Sequence, residues 1–201
     1  AQPWTVGSRR KPLTDQSCAV EPKEGIGSDL FEPLVEIFKN LKNNPDILKS
    51  WYAERWEIAN GSMKQQGYEK IKKSFNLNHN PADFLFLTRS CYGGVIRFRK
   101  EDGYMSTPCG VHNPINPNSF NKRVDIWTER VQGCEFICQD YKQAMANAER
   151  GDLIYCDPPY DYSQSILYGG QNFVLEELFS EIDKCKSRGV YVALSIDGFK
   201  K

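Results

Sequence analysis

Four consecutive residues, Asp157-Pro158-Pro159-Tyr160, place a carboxylate, two prolines and an aromatic ring directly after the apolar run Leu153-Ile154-Tyr155-Cys156. The apolar run predicts a short buried strand, and each proline fixes φ and lacks an N–H donor. In an open α/β sheet, ligands bind just beyond the carboxyl ends of the strands, where these four residues would lie. The carboxylate and a backbone carbonyl could then accept both hydrogens of an exocyclic amino group while the ring stacks on the attached base.

An amine held in this way has its lone pair turned toward an electrophile, which is what methyl transfer to a nucleobase nitrogen requires. We therefore interpret Asp157, Pro158, Pro159 and Tyr160 as candidate catalytic residues. The alternative is an ordinary turn at the end of a strand, since Asp and Pro are common turn residues.

The composition indicates a globular chain of one domain, or one domain with a sizeable insertion, because 201 residues with 40% hydrophobic content can bury a real core. No stretch approaches 18 apolar residues, and the first residues lack the apolar segment of a signal peptide, so we expect neither a membrane span nor secretion. The seven cysteines are scattered, with only Cys134 and Cys138 close together. A zinc site would need a second such pair, so we expect no metal and reduced thiols.

The charge is zero overall but unevenly distributed. Residues 61–123 carry ten Lys/Arg against four Asp/Glu, and residues 131–201 carry seven against eleven. A basic region beside an acidic catalytic strand suits a polyanionic partner, although solvated surface charge is the alternative.

The periodicity of the first two thirds predicts mainly helices. The expected segments are a helix from Leu30 with Ser28-Asp29 as its N-cap, a second from Asn44-Pro45-Asp46 to about Ile58, a Lys-rich helix over 64–75, a helix from Pro81, a β-hairpin over 95–106 and a loop over 107–121. Residues 4–12 are expected to form a loop. From Glu135 the pattern becomes strand, helix, strand, and the apolar run 190–196 is typical of a parallel sheet covered on both faces.

The predicted hairpin carries two arginines, Arg97 and Arg99, on one face, with Ile96 and Phe98 on the other. Arginine can bond guanine O6 and N7 together, so both arginines are candidates for reading bases. Three lysines on a separate polar helix, Lys70, Lys72 and Lys73, are more typical of phosphate contacts. The alternative is a solvated charged hairpin.

Several of these stretches, in the same order, resemble the Dam-like (D12 class) DNA adenine-N6 methyltransferases. They are Gly7-Ser8-Arg9-Arg10-Lys11, Ala19-Val20-Glu21-Pro22, the recognition stretch from Leu87-Thr88-Arg89 through Cys91-Tyr92-Gly93-Gly94 to Arg97-Phe98, Gln139-Asp140-Tyr141 and the Asp157–Tyr160 tetrapeptide. The resemblance covers most of the chain, and its specific parts are the tetrapeptide and the stretch from Arg89 to Phe98.

The resemblance implies an α/β fold in which a Rossmann-like methyltransferase sheet (residues 1–41 and 131–201) carries an inserted α-helical and β-hairpin DNA-recognition domain (residues 42–130). It implies S-adenosylmethionine as cofactor, double-stranded DNA as partner, and a cytoplasmic location in a prokaryote or phage-infected cell, associated with the nucleoid. The oligomeric state stays open between monomer and weak dimer. The implied cofactor-binding residues are Trp4, Thr5, Gly7, Ser8, Arg9, Glu21, Pro22, Asp140, Tyr141 and Asp157. The implied DNA-binding residues are Arg89, Tyr92, Arg97, Arg99, Lys100, Lys72 and Lys73.

The chain departs from the family pattern in two places. After Glu21-Pro22 the family has a glycine-rich turn, a helix and a further strand that ends in the acid binding the cofactor ribose. Here residues 23–29 are expected to run straight into the next helix, so that loop and strand are expected to be missing, with Glu24 and Asp29 as candidates for the acid. The family also continues with further strands beyond Ser195-Ile196-Asp197-Gly198, so segments are absent from this sequence or the copy is degenerate.

Two other functions fit parts of the pattern. The tetrapeptide with a parallel sheet also suits enzymes that methylate guanine N2 in ribosomal RNA, but those lack the roughly 110 residues that here separate the cofactor loop from the catalytic strand. A catalytically inactive DNA-binding fragment is the non-enzymatic alternative. Binding of S-adenosylmethionine distinguishes the enzyme from the fragment.

Overall fold

A computed structural model of the chain describes residues 5–8, 24–158 and 173–195, with residues 5–8 described by their backbone alone. Within these ranges the strands are β1 (Thr5–Ser8), β2 (Gly25–Asp29), β3 (Cys134–Cys138), β4 (Leu153–Cys156) and β5 (Tyr191–Leu194). The helices are α1 (Glu32–Asn43), α2 (Pro45–Ile58), α3 (Lys64–Asn78), α4 (Pro81–Ser90), α5 (Pro117–Arg130), α6 (Tyr141–Ala146) and α7 (Leu175–Ser187).

The strands form one sheet in the order β3-β2-β1-β4-β5. β2 is parallel to β3 and β4 is parallel to β5, while β1 runs antiparallel to both β2 and β4. The predicted mixed α/β class is confirmed, but the sheet is not purely parallel. Residues 5–8, predicted as loop, form its central strand, and only two of those four residues, Thr5 and Val6, favour strands.

A strand precedes α1, contrary to the expectation that residues 23–29 would enter the helix directly. Gly25–Asp29 pairs with β3 along its whole length, from Gly25 opposite Cys134 to Asp29 opposite Cys138. Its two glycines weaken any local strand signal, so the strand is specified by its neighbours on both sides. The helix begins at Glu32, and Phe31 rather than Ser28 or Asp29 is its N-cap.

The helix α5 occupies part of the segment predicted as loop. Pro117 lies in its first turn, and the Asn116 side chain accepts a hydrogen bond from the Ser119 N–H at 2.9 Å. Proline and asparagine are therefore helix-start residues here, whereas their density suggested a long loop.

The buried side chains form two clusters. The larger lies among α1 to α5 and the hairpin, and its fully buried members include Tyr52, Tyr68, Phe75, Phe86 and Leu87. The smaller lies between the sheet, α6 and α7 and contains Tyr141, Met145, Ile154, Cys156, Leu178, Cys185 and Val190.

The helix α1 connects the larger cluster to the sheet. Ile37 and Leu41 belong to that cluster, and the Phe38 ring lies 5.1 Å from the ring of Phe136 on β3. The predicted boundary at residue 42 separates α1 from the helices that follow it, although α1 shares a core with them. The two-part division of the chain stays a prediction.

Candidate active site and nucleic-acid interface

Four strands of the sheet have their carboxyl ends at the same edge. Because β1 is antiparallel to both β2 and β4, the strands β2, β3, β4 and β5 all run in the same direction. We call the edge where they end the carboxyl edge. The strand β1 begins there, with Thr5 opposite Ser28 and Val6 opposite Tyr155.

The half-buried Asp157 lies at this edge, directly after β4, and Pro158 beside it is buried. The Ser195 N–H donates to the Cys156 carbonyl at 2.9 Å, so the β4–β5 ladder is maintained up to the aspartate. The predicted catalytic carboxylate therefore follows a paired strand, as the sequence indicated. Pro159 and Tyr160 lie outside the described residues.

A second carboxylate, Asp29, ends β2 at the same edge and is 1% exposed. Its Oδ1 accepts a hydrogen bond from the Phe31 N–H at 2.7 Å, and its carbonyl accepts one from the Gln139 N–H at 3.2 Å. Asp29 and Asp157 are separated by β1 alone, which places their backbones about 10 Å apart. Glu24 is exposed and lies at the opposite end of β2, about 16 Å from Asp29 along the strand.

Asp140 and Tyr141 follow β3 at the carboxyl edge. The Asp140 Oδ1 accepts a hydrogen bond from the Lys142 N–H at 2.7 Å, so this residue is the N-cap of α6. The Tyr141 ring packs edge-to-face on Phe173, with ring centroids 6.1 Å apart. Burial raises the pKa of the Tyr141 hydroxyl. Its Oη is buried and has no hydrogen-bond partner in the part of the chain that the structure describes.

The predicted cofactor residues on β1 are split along that strand. Thr5 lies at the carboxyl edge, whereas Gly7 pairs with Ile26 and Ile154, and Ser8 lies at the amino ends of β2 and β4. The edge therefore unites Thr5 with Asp140, Tyr141 and Asp157, and leaves Gly7 and Ser8 farther down the strand. Trp4, Arg9, Glu21 and Pro22 are not among the described residues.

The predicted hairpin is present over residues 97–106. Phe98 lies opposite Met105, the Arg99 N–H donates to the Tyr104 carbonyl at 2.9 Å, and the Ser106 N–H donates to the Arg97 carbonyl at 2.8 Å. Ile96 and Phe98 are buried and Arg97 and Arg99 are exposed, so the predicted alternation is confirmed.

The two hairpin arginines differ in how their guanidinium groups are engaged. Arg99 forms two hydrogen bonds to the Asp102 carboxylate, at 2.6 and 3.1 Å, and lies 4.3 Å from the centre of the Tyr104 ring. The Arg97 side chain makes no hydrogen bond or ion pair with any residue in the described ranges. Arg97 is therefore the one whose donors are available to a ligand.

The candidate phosphate-contacting lysines also differ. Lys72 is buried, and its Nζ lies 2.8 Å from a Glu69 carboxylate oxygen and 5.5 Å from the centre of the Tyr68 ring. Lys73 and Lys100 are exposed and have no ion pair with a described residue. An ammonium already paired inside the fold is less suited to a phosphate than a free one.

Arg89 and Tyr92, both exposed, border a cavity of about 450 Å³. One wall is the turn Tyr92-Gly93-Gly94, and the other is the segment from Gly110 to Asn113, which we call the 110–113 loop. Polar groups and an exposed ring around a concave surface are suited to contacts with nucleic acid.

The base of the 110–113 loop is held by a short antiparallel ladder. The Tyr92 N–H donates to the Pro108 carbonyl at 2.9 Å and the Gly110 N–H to the Ser90 carbonyl at 2.8 Å, so Cys91 and Cys109 face each other as a non-hydrogen-bonded pair. A Cβ on Gly110 would lie 2.8 Å from the Cys91 carbonyl oxygen, so the ladder requires glycine at this position.

Sequence reasoning missed the residues of α3 that hold this region. The Tyr68 hydroxyl donates to the Thr107 carbonyl at 2.9 Å, and the Asn76 Oδ1 accepts from the Met105 N–H at 2.6 Å. Lys64 donates to the 110–113 loop. Each partner lies 29 or more positions away along the chain, so no local pattern could have identified these contacts.

Two kinds of feature are absent from the described residues. None of their helices is long and apolar enough to cross a membrane. Among the same residues there is no group of three or more His, Cys, Asp or Glu side chains that could hold a metal ion.

Residues 16–198 match the family described as D12 class N6 adenine-specific DNA methyltransferase. A DNA adenine methylase of Vibrio cholerae is 27% identical over 200 residues, covering 88% of this chain and 71% of that protein. The Retron Ec67 DNA adenine methylase of Escherichia coli is 31% identical over 155 residues, covering 72% of this chain and 52% of that protein. The DNA N-6-adenine-methyltransferase of Escherichia phage P1 is 26% identical over 188 residues, covering 88% of this chain and 24% of that protein.

Proposed function

The chain belongs to the D12 class of N6 adenine-specific DNA methyltransferases, and we propose that it transfers a methyl group from S-adenosylmethionine to the N6 amine of an adenine in duplex DNA. The observation that carries this proposal is the position of Asp157 directly after β4, at the edge where Asp29 also ends a strand. The bacterial and phage relatives support action on DNA in a prokaryotic cytoplasm.

Asp157 is the residue that would act on the amine. Its carboxylate accepts a hydrogen bond from the N6 amino group, and this bond strengthens as positive charge develops on the nitrogen during methyl transfer. No general base with a shifted pKa is needed, because the proton can leave after the new bond has formed. The prolines would fix the turn, and Tyr160 would stack on the base.

We place the cofactor at the carboxyl edge because Asp29, Asp140 and Asp157 each end or directly follow a strand there, or begin the helix after one. S-adenosylmethionine supplies the methyl group on a sulfonium when it is bound. Asp29, buried and oriented by the Phe31 N–H, is suited to accept hydrogen bonds from the ribose hydroxyls. Asp140, Tyr141 and Thr5 are the proposed neighbours of the rest of the cofactor.

The target adenine must leave the duplex to reach Asp157, since its N6 is paired inside the helix. We place the duplex against the hairpin and the cavity bordered by Arg89 and Tyr92, within the proposed recognition insert of residues 42–130. Arg97 is proposed to read a base and Lys73 and Lys100 to contact phosphates, because their charged groups are exposed and unpaired among the described residues. Arg99 would mainly stabilise the hairpin through Asp102.

The proposal is tested by offering duplex DNA and ribosomal RNA separately with radiolabelled S-adenosylmethionine. We expect label on adenine N6 of DNA, and loss of that label in Asp157→Ala with the DNA affinity largely kept. Transfer to RNA guanine would indicate the ribosomal RNA enzyme. DNA binding without cofactor binding, measured by calorimetry, would indicate an inactive fragment. Activity of the Asp157 variant within tenfold of wild type would refute its catalytic role.

A further inference from the structure

Lys64, the first residue of α3, directs its ammonium group at three consecutive backbone carbonyls. Its Nζ lies 2.9 Å from the Gly110 oxygen, 2.8 Å from the Val111 oxygen and 3.5 Å from the His112 oxygen. An ammonium has three donors and no acceptor, so these carbonyls can take all its hydrogens. No carboxylate among the described residues lies within ion-pair distance of it.

The consequence for the 110–113 loop is that the carbonyls of residues 110–112 point toward α3, while the side chains of residues 111–113 are exposed. Val111 is 73% exposed, and His112 and Asn113 are also exposed. The negative ends of the peptide dipoles are thereby turned away from the outer surface and neutralised by a cation. On a surface meant for a polyanion, this orientation removes a local repulsion.

Little else fixes this loop within the described part of the chain. The ladder around Cys91 and Cys109 ends at Gly110, and residues 111–113 make no backbone–backbone hydrogen bond to a described residue. The loop forms the wall of the cavity opposite Tyr92. Lys64 is therefore the contact that sets the shape of that wall beyond Gly110.

We propose that Lys64 is a positioning residue for DNA binding, which orders the 110–113 loop and neutralises its carbonyls without itself contacting a phosphate. The inference rests on the proposed function, since it requires that the cavity between the loop and Tyr92 faces the duplex. Lys64 belongs to the basic region 61–123, and its positive charge alone would suggest a phosphate contact. The inference instead assigns it a role within the fold.

The test is the salt dependence of duplex-DNA affinity in Lys64→Met, which keeps most of the length of the side chain and removes its donors and charge. We expect the dissociation constant to rise about tenfold, which corresponds to the low end of the range for one hydrogen bond to a charged group. The slope of log affinity against log salt should stay unchanged, because no counterion-releasing phosphate contact is lost. Lys64→Arg should restore most of the affinity, since a guanidinium can also donate to several carbonyls.

Lys73→Met on the same helix is the matched comparison, since its exposed charge is a direct phosphate candidate whose loss should lower the slope by about one. The melting temperature and the dissociation constant for S-adenosylmethionine control for folding. If Lys64→Met is poorly folded, Lys64→Gln, which keeps two donors, is measured in its place and should give a smaller loss with the slope again unchanged.

Two results would overturn the inference. A slope lowered by about one in Lys64→Met would mean that the ammonium contacts a phosphate directly, and an unchanged affinity would mean that the loop needs no such contact. Both require a wild-type protein that binds duplex DNA. A wild type that binds S-adenosylmethionine but no DNA would instead refute the proposed function.

Discussion

Asp29 and Glu24 provide a paired test of where the cofactor ribose binds, because the two acids lie at opposite ends of the same strand. The informative change is Asp29→Asn, which keeps an oxygen to accept the hydrogen bond from the Phe31 N–H, removes the charge and replaces the second oxygen with an NH2 group. A hydrogen bond to a charged group contributes about 1.5–3 kcal/mol, so its replacement by a neutral one should cost part of that range. We expect the dissociation constant of S-adenosylmethionine to rise by about tenfold.

The matched control is Glu24→Gln. Glu24 is exposed and lies about 16 Å from Asp29, farther than one ribose can span, so its charge should not affect cofactor binding. Isothermal titration calorimetry of wild type and both variants gives the two affinities, and thermal melting reports folding. An Asp29→Asn variant that binds within twofold of wild type, or a Glu24→Gln variant that loses as much affinity, would refute the assignment of the ribose to Asp29.

Three other predictions follow from the described geometry. Arg97→Ala should lower the ratio of cognate to non-cognate methylation at one base position and weaken DNA binding by about 1–3 kcal/mol, whereas Arg99→Ala should leave that ratio unchanged. Methylation kinetics that show equal effects of the two substitutions would contradict the different roles of the two arginines. Burial raises the pKa of the Cys156 thiol to about 11 from 9.0, because the buried site favours the neutral thiol over the thiolate. The contribution of the neutral thiol to the stability of the folded state should therefore be complete below about pH 9 and lost as the pH rises toward 11. Urea unfolding at pH 8 and pH 10.5 should therefore show a steeper loss in wild type than in Cys156→Ala, by roughly 1 kcal/mol per pH unit. Finally, because Cys91 and Cys109 face each other in the ladder, treatment with a small-molecule disulfide should oxidise them to a Cys91–Cys109 disulfide. Peptide mass spectrometry should detect this disulfide, and replacement of either cysteine by serine should abolish it.

The strand β4 could be predicted because its signal is local. Leu153–Cys156 is a short apolar run that ends in residues with restricted backbones, so the strand, its end and the carboxylate that follows it could be predicted from neighbouring residues. The hairpin was predictable for the same reason, since Ile96 to Arg99 alternate and Asp102-Gly103 marks the turn.

The strand Gly25–Asp29 could not be predicted because its signal is not local. Two glycines and two polar residues surround a single isoleucine, and the strand exists because β1 and β3 hydrogen bond to it on either side. The same holds for Lys64, whose acceptors lie 46 to 48 positions away. A single sequence shows which residue types are present, but it does not show which distant backbone groups will lie close enough to form hydrogen bonds with them.

The antiparallel strand at the centre of the sheet has a consequence for the order in which the chain folds. β1 pairs with β2 within about 25 residues, but its other partner, β4, lies almost 150 positions away, and β2 finds β3 only after more than 100. The helices α1 to α5 lie between these partners and pack on one another over separations shorter than these, for example the 87 positions between Leu41 on α1 and Thr128 on α5. Because distant pairings carry a larger loop-closure cost before they stabilise anything, we expect the helices to assemble early and the sheet to close late. Until then β1 and β2 expose unpaired strand edges, so this chain should be most prone to aggregate while the helices are already formed.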